Sequence, residues 1–144
     1  MSTDRDTGRG IVLVALTKDG AALARKVQGA IPKSRIHGLA GRVEDCDTAF
    51  TDTTAHLADL FAAGQAIIGI CAAGILIRAL APGLDDKQNE PPVVAVSPDG
   101  IHVVPLLGGH HGANALAARV AQITSGSAAI TTAGETLHGV ALED

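Results

Sequence analysis

The sequence predicts an α/β domain, a three-layer α/β/α sandwich whose middle layer is a Rossmann-like, mostly parallel sheet. Short aliphatic runs such as Ile11–Leu16 and Ala66–Ile70 lack polar alternation, which is typical of parallel strands buried on both faces. Segments with helical spacing follow these runs, and 144 residues suit one domain. We expect the domain to span residues 11–134, with a disordered lead-in over 1–10 and a tail or linker over 135–144.

The first strand is followed by a predicted helix and a second strand. Thr17 or Asp19 can cap the helix, which we place at Ala21–Ala30 because Pro32 ends it. Ser34–Leu39 is predicted as the second strand. The next stretch, Gly41–Phe50, is polar and is predicted to be irregular.

The middle of the chain predicts a helix, a strand and a second helix. Asp52 or Thr53 caps the first helix, whose apolar face consists of Leu57, Leu60 and Phe61. Ala66–Ile70 is the buried strand. The helix that begins over Ile75–Leu80 is apolar almost all round, so we expect it to be buried.

The last third predicts a hairpin, a glycine-rich loop, a helix and a strand. Pro98-Asp99-Gly100 is turn chemistry between two short apolar runs, which predicts a hairpin over about residues 93–106. Gly108–Gly112 is the loop, and the helix after it carries Leu116, Val120 and Ile123 on one face. Ala128–Thr132 is the last predicted strand.

The composition excludes several classes of function. Hydrophobic residues make up 47% of the chain but aromatic residues only 1%, with no Trp or Tyr. Proteins that stack nucleic-acid bases on aromatic rings are therefore not expected. The formal charge of −4 and the lack of a basic cluster give no sign of nucleic-acid binding.

Cysteine usage and hydropathy predict the compartment. Cys46 and Cys71 lie far apart in sequence and form neither a disulfide framework nor a cysteine zinc site, which favours a reduced, cytoplasmic setting. Glycines break the apolar runs, so no transmembrane helix is expected.

Three loops lie between a predicted strand and a predicted helix, namely Thr17–Gly20, Cys71–Gly74 and Gly108–Asn114. In a parallel α/β sheet such loops all emerge at the carboxyl edge, where ligands bind, so we expect the three loops to share that edge. Helix N-termini there offer free N–H groups to anions. The alternative is that the glycines serve only as tight turns.

The loop Gly108–Asn114 is the densest polar feature of the sequence. His110 and His111 are suited to acid or base chemistry, but adjacent side chains in an extended chain point apart and do not chelate one metal. Capping and solvation explain the two histidines equally well. Thr131 and Thr132, at the end of the last predicted strand, can bind a ligand or simply end the strand.

Two further residues stand out in the middle of the sequence. Cys71 has the strand–turn–helix setting of a nucleophile elbow, although Ala73 replaces the second glycine of that motif; a buried, inert cysteine is the alternative. Arg78 lies in an otherwise apolar helix, where it needs a carboxylate or a bound anion as partner.

An ordered set of motifs resembles the N-terminal domain of CbiG-type proteins, the cobalt-precorrin-5A hydrolases of cobalamin biosynthesis. The set comprises Gly74–Pro82, Asp86-Lys87, Pro92–Val96, Pro105–Asn114 and Ile130–Ala133. The glycine–histidine loop is one residue shorter than the common G-H-x-G-G-A-N form, and Glu90-Pro91-Pro92 stands where members often carry Asp-Pro.

The resemblance implies a function and a set of site residues. It implies opening of a δ-lactone on a cobalt corrinoid, with release of acetaldehyde. His110 would be catalytic, and cobalt would belong to the substrate, so neither a protein-bound metal nor another cofactor is expected. The substrate-binding residues would be Gly74, Arg78, Lys87, Gly108, Gly109, His111, Gly112, Asn114, Thr131 and Thr132.

Two alternatives stay open beside this expectation. The domain could bind or dock a corrinoid without catalysis, working with a precorrin methyltransferase or another enzyme of the pathway. It could instead be an α/β domain that binds a phosphorylated small molecule at the same loops. Copies of the chain could also associate as a homo-oligomer.

Overall fold

A computed structural model describes residues 10–85 and 89–132 of the chain. Within these ranges the chain forms a seven-stranded sheet and four α-helices. The strands are β1 Ile11–Ala15, β2 Arg35–Leu39, β3 Thr48–Phe50, β4 Ala66–Ile70, β5 Val93–Val96, β6 His102–Leu107 and β7 Ser127–Ala128. The helices are α1 Lys18–Ala30, α2 Thr53–Ala62, α3 Ala73–Leu80 and α4 Ala113–Thr124, with short 3-10 turns at Ala81–Gly83 and Gly109–His111.

The strand order is that of a Rossmann-like sheet, β3-β2-β1-β4-β5-β6-β7. The first five strands in this order are parallel. Strand β6 returns antiparallel to β5 through the predicted hairpin, and β7 runs parallel to β6. The predicted fold class and the hairpin are therefore confirmed.

Two apolar clusters make the sheet the middle of three layers. Helices α1 and α4 cover one face of the sheet with small residues such as Ala24, Ala117 and Val120. Helices α2 and α3 cover the other face with larger ones, including Phe61 and Leu76. Burial of these side chains is the main stabilising contribution in a chain almost without aromatic residues.

The polar residues that the sequence marks as helix caps act as caps. The Thr17 Oγ1 accepts a hydrogen bond of 2.9 Å from the Gly20 amide at the start of α1. The Asp52 Oδ1 accepts one of 3.0 Å from the Ala55 amide at the start of α2. Each bond satisfies an amide that the helix leaves without a partner, which fixes where the helix begins.

Three expectations about individual elements are wrong. Gly41–Phe50 is not wholly irregular, because its end forms β3 beside β2. The last strand is Ser127–Ala128 rather than Ala128–Thr132. Helix α3 is not buried all round: Ile77 is 55% exposed, because the sheet covers only one side of the helix.

Nearly all residues of the two predicted terminal segments lie outside the described ranges. The lead-in over 1–10 and the tail over 135–144 lie outside the described residues, apart from Gly10. The Gly10 amide donates a 3.0 Å hydrogen bond to the Gln65 side chain, and its carbonyl accepts one from Ala66. Gly10 thus already belongs to the sheet. None of the described helices has the length and hydropathy that crossing a membrane requires.

Candidate functional site

The candidate residues from the sequence divide between two opposite edges of the sheet. We call the edge where the five parallel strands end the carboxyl edge; Thr17–Gly20 and Cys71–Gly74 follow β1 and β4 there. Val93, at the start of β5, pairs with Leu107, at the end of β6. Gly108–Asn114 therefore lies at the other edge, the amino edge. The expectation that the three loops share one edge is wrong, because β6 runs antiparallel.

The glycine–histidine loop, residues 108–112, is a tight turn at the amino edge. Gly108 has φ 73° and Gly112 has φ 109°, both in the left-handed region that favours glycine. A Cβ atom at Gly108 would lie 2.7 Å from the Pro91 carbonyl oxygen, so the backbone there also leaves no room for a side chain. The two glycines thus set the path of the chain through Gly109, His110 and His111.

Asn114 joins this loop to the segment after β7. Its side chain is 3% exposed, and its Nδ2 donates a 2.9 Å hydrogen bond to the Thr132 Oγ1. A Cβ atom at Gly109 would lie 3.5 Å from the Thr132 Cγ2 and 3.6 Å from the Asn114 Nδ2. The structure therefore brings Gly109, Asn114 and Thr132 together, as the resemblance implies. Thr131 is exposed beside them.

A cleft of about 760 Å³ opens beside the glycine–histidine loop. Its lining combines the loop with an apolar surface from Leu84, Leu106 and Leu107 and with Asp85, Glu90 and Thr132. Sequence reasoning missed the three leucines as site residues. The signal was present, since Leu106 and Leu107 directly precede the glycines and remain partly exposed.

The two histidines of the loop have different surroundings. The His111 Nδ1–H donates a 3.0 Å hydrogen bond to the Glu90 carbonyl, because a carbonyl oxygen can only accept. That bond holds the His111 ring against the wall of the cleft. The His110 ring lines the same cleft, is exposed, and makes no hydrogen bond to another described residue. His110 is therefore the imidazole with both ring nitrogens available to a ligand.

Gly74 and Arg78 occupy the carboxyl edge and do not line this cleft. Arg78 is exposed, and its Nη1 would lie 3.1 Å from a Cβ atom placed on Gly74, so its guanidinium folds back over the start of α3. Gly74 gives the guanidinium the space to do so. Lys87 lies outside the described residues.

Cys71 lacks the properties of an activated nucleophile. Its side chain is 7% exposed, and burial raises the pKa of its thiol to about 11. Apolar surroundings destabilise the thiolate, which is the reactive form. The structure therefore favours the buried, inert cysteine over the nucleophile elbow.

This difference predicts selective labelling of the two cysteines. At pH 7.5 we expect iodoacetamide to modify Cys46, which is partly exposed, at least tenfold faster than Cys71. Mass spectrometry of peptides from the native protein measures both rates, and the urea-unfolded protein serves as control. Equal rates in the native state would contradict the assignment of Cys71 as inert.

Comparison with known proteins agrees with the fold and with the motifs. Residues 55–135 match the family described as cobalamin synthesis G N-terminal. The chain is 36% identical to the cobalt-precorrin-5A hydrolase of Salmonella typhimurium over an alignment of 137 residues, which covers 92% of this chain and 38% of that protein. It is 31% identical to the enzyme of the same name from Priestia megaterium, over 90% of this chain and 37% of that protein.

A solved structure shows the same fold. The crystal structure of a cobalamin biosynthesis protein G homolog from Sulfolobus solfataricus superposes with a TM-score of 0.63 at 21% identity, over 85% of this chain and 36% of that one. The chain thus spans little more than a third of the length of these relatives. The matched family covers more than half of the chain, including the glycine–histidine loop, and the chain belongs to the cobalamin synthesis G N-terminal family.

Proposed function

We propose that this chain binds a cobalt-corrinoid lactone of cobalamin biosynthesis in the cleft beside the glycine–histidine loop, and takes part in opening the lactone. The observation that carries the proposal is the composition of that cleft. Three leucines, a histidine without a hydrogen bond to described residues, and a fixed glycine backbone converge in about 760 Å³. Clefts that combine an apolar surface with polar groups able to orient a ligand are typical of small-molecule sites.

The cleft suits a large, flat ring without aromatic residues. Leu84, Leu106 and Leu107 offer an aliphatic surface for one face of a macrocycle. Asp85 and Glu90 place carboxylates at the wall, so the acidic side chains of a corrinoid need a cation on that side. Lys87 follows Asp85 closely in sequence and is the cation that we propose to meet those acidic groups.

His110 is the group that we propose to activate water. A neutral imidazole can take a proton from the attacking water and so act as a general base. Attack of water on the lactone carbonyl breaks the acyl–oxygen bond and leaves a carboxylate and an alcohol. The alcohol then loses its proton and becomes the carbonyl of acetaldehyde as the neighbouring C–C bond breaks; the electron pair of that bond stays on the macrocycle, which takes up a proton. Cobalt enters as part of the substrate, and the site would act in the cytoplasm.

The proposal predicts the effect of replacing His110. With a cobalt-corrinoid lactone as substrate, we expect His110→Ala to lower acetaldehyde release about 100-fold or more, the usual contribution of a general base. His102→Ala is the matched control, because His102 is also exposed but lies at the other end of β6. Undiminished release by His110→Ala would remove His110 from the mechanism.

A second candidate, binding without turnover, has its own supporting observation. His110 and His111 are both exposed, so the described residues leave the cleft open to water. A corrinoid would then be held here while another protein surface, such as that of a precorrin methyltransferase or another pathway enzyme, completes the site. Binding without acetaldehyde release from the wild-type chain would favour this candidate.

A further inference from the structure

A second cleft, of about 310 Å³, lies at the carboxyl edge, opposite the glycine–histidine loop. Helix α1 and the loop between β2 and β3 form its walls, and Lys18, Arg25 and Arg42 line it. We propose that these three cations bind a small multivalent anion, a phosphate group or a cluster of carboxylates. The site does not depend on the proposed function, because it shares no residue with the other cleft.

Helix α1 presents two of the cations side by side. Lys18 and Arg25 are seven residues apart, close to two turns, so they lie on the same face of the helix. Ala21 lies between them in the lining of the cleft and is itself buried. Because its side chain is a single methyl group, it leaves space between the two charges for a ligand.

The loop after β2 carries the third cation, and packing fixes the position of this loop. The amides of Arg42 and Val43 both donate to the Leu39 carbonyl, at 3.0 and 2.9 Å. Val43 is 5% exposed and packs against Gly38, where a Cβ atom would lie 2.5 Å from its Cγ1. Arg42 therefore starts from a fixed backbone position opposite α1.

Asp47 anchors the far end of the same loop. Its Oδ2 accepts hydrogen bonds from the Ile36 amide at 2.8 Å and from the Gln28 Nε2 at 3.0 Å. These bonds hold the pKa of Asp47 below its usual range, so the anchor stays ionised at neutral pH. Since Gln28 belongs to α1, Asp47 ties the far end of the loop to the helix, beyond the residues that line the cleft.

The charges of the cleft favour an anion. Glu44 and Asp45 also line it, so three cations face two carboxylates in a chain whose formal charge is −4. Within residues 10–85 and 89–132, none of the three cations forms an ion pair with a carboxylate. A multivalent anion would supply that missing partner. Ligands of open α/β sheets also bind at the carboxyl ends of the strands.

Titration of the full chain at low salt, followed by NMR or calorimetry, tests the proposal. The two probes are inorganic phosphate and tricarballylate, which separate a phosphate group from clustered carboxylates. We expect Arg25→Gln and Arg42→Gln each to weaken binding of the preferred probe at least fivefold. Lys26→Gln is the matched control, since Lys26 is exposed on α1 next to Arg25 but outside the cleft, and it should change the affinity less than twofold.

Removing the two carboxylates that line the cleft should strengthen anion binding instead of weakening it. We expect the double variant Glu44→Gln, Asp45→Asn to bind the anion at least threefold more tightly. Asn suits position 45, where φ is 56°. Binding of either probe with this ranking of variants supports the site. The proposal would be overturned if neither probe binds, or if Lys26→Gln and Arg42→Gln weaken anion binding equally. Mg²⁺ binding that the double variant abolishes would also overturn it.

Discussion

Gly108→Ala is expected to destabilise the protein by about 2–5 kcal/mol and to distort the proposed corrinoid cleft. Two costs add at this position. A non-glycine residue in the left-handed region costs roughly 1–2 kcal/mol, and Gly108 has φ 73°. A new Cβ atom would also lie 2.7 Å from the Pro91 carbonyl oxygen and 3.0 Å from the Pro92 Cα. These are backbone atoms, so the segment before β5 and the loop must move apart, at a further cost of roughly 1–3 kcal/mol.

The variant Gly41→Ala measures the conformational cost of a positive φ without the steric clash. Gly41 has φ 87°, but a Cβ atom there would meet no atom within 4 Å. We expect it to lose only the conformational part, roughly 1–2 kcal/mol. Urea unfolding of both variants measures the difference, and corrinoid titration below the unfolding transition shows whether the cleft survives. Equal destabilisation would mean that Pro91 does not constrain the loop.

Stability is expected to fall as the pH drops below about 6.5, because the buried His37 faces the partly buried His56. The His37 Nδ1 and the His56 Nε2 are 2.7 Å apart, and the His56 ring stacks on Phe50 with centroids 4.5 Å apart. Burial lowers the pKa of both imidazoles from the ordinary 6.5, and His56 and Arg35 lower that of His37 further. Asp47 and Asp59 act in the opposite direction on His37 and His56 respectively, with smaller effects.

The sign follows from the lowered pKa values. The unfolded chain binds protons near pH 6.5 more readily than the folded protein, so acid favours unfolding. The stabilisation is complete above about pH 6.5 and is lost as the pH falls toward the lowered folded values. When both rings are protonated, two N–H groups face each other and the hydrogen bond is lost. We expect about 1–3 kcal/mol less stability at pH 5 than at pH 7.5.

His56→Gln is the variant that tests this origin. The amide of glutamine does not titrate, yet its oxygen can accept a hydrogen bond from His37. Urea unfolding between pH 5 and pH 7.5 should therefore show a shallower pH dependence than for the wild type. His102→Gln removes an exposed histidine and should leave the dependence unchanged. If the stability of His56→Gln depended on pH as steeply as that of the wild type, the His37–His56 pair would not be the cause of the pH dependence.

The sequence predicts the fold well where burial and capping act locally. Ile11–Ala15 and Ala66–Ile70 are strands because both faces are buried, and Thr17 and Asp52 cap helices as their side chains allow. The short strand Thr48–Phe50 escapes such reasoning. Only pairing with β2 makes it a strand, and that contact is not visible in three residues.

The sequence predicts some residues of the candidate site but neither its leucines nor its placement. Gly109, Asn114 and Thr132 do meet, as the resemblance implies, because Asn114 bonds Thr132 across the loop. The hairpin explains why the glycine–histidine loop lies at the amino edge and not at the predicted carboxyl edge. A hairpin between β5 and β6 reverses the chain, so the loop after β6 must lie opposite the loops after β1 and β4. The same reversal places His110 at the opposite edge of the sheet from Arg78.

Titration of a cobalt-corrinoid lactone against variants at the two edges tests the central claim most directly. His110→Ala and Thr132→Val alter the cleft at the amino edge, whereas Arg78→Gln alters the carboxyl edge. The corrinoid absorbance reports binding in each case. We predict that combining the two cleft substitutions weakens binding at least tenfold while Arg78→Gln stays within twofold of the wild type. Tenfold weaker binding by Arg78→Gln, with wild-type affinity in the cleft variant, would place the corrinoid at the other edge and contradict the account.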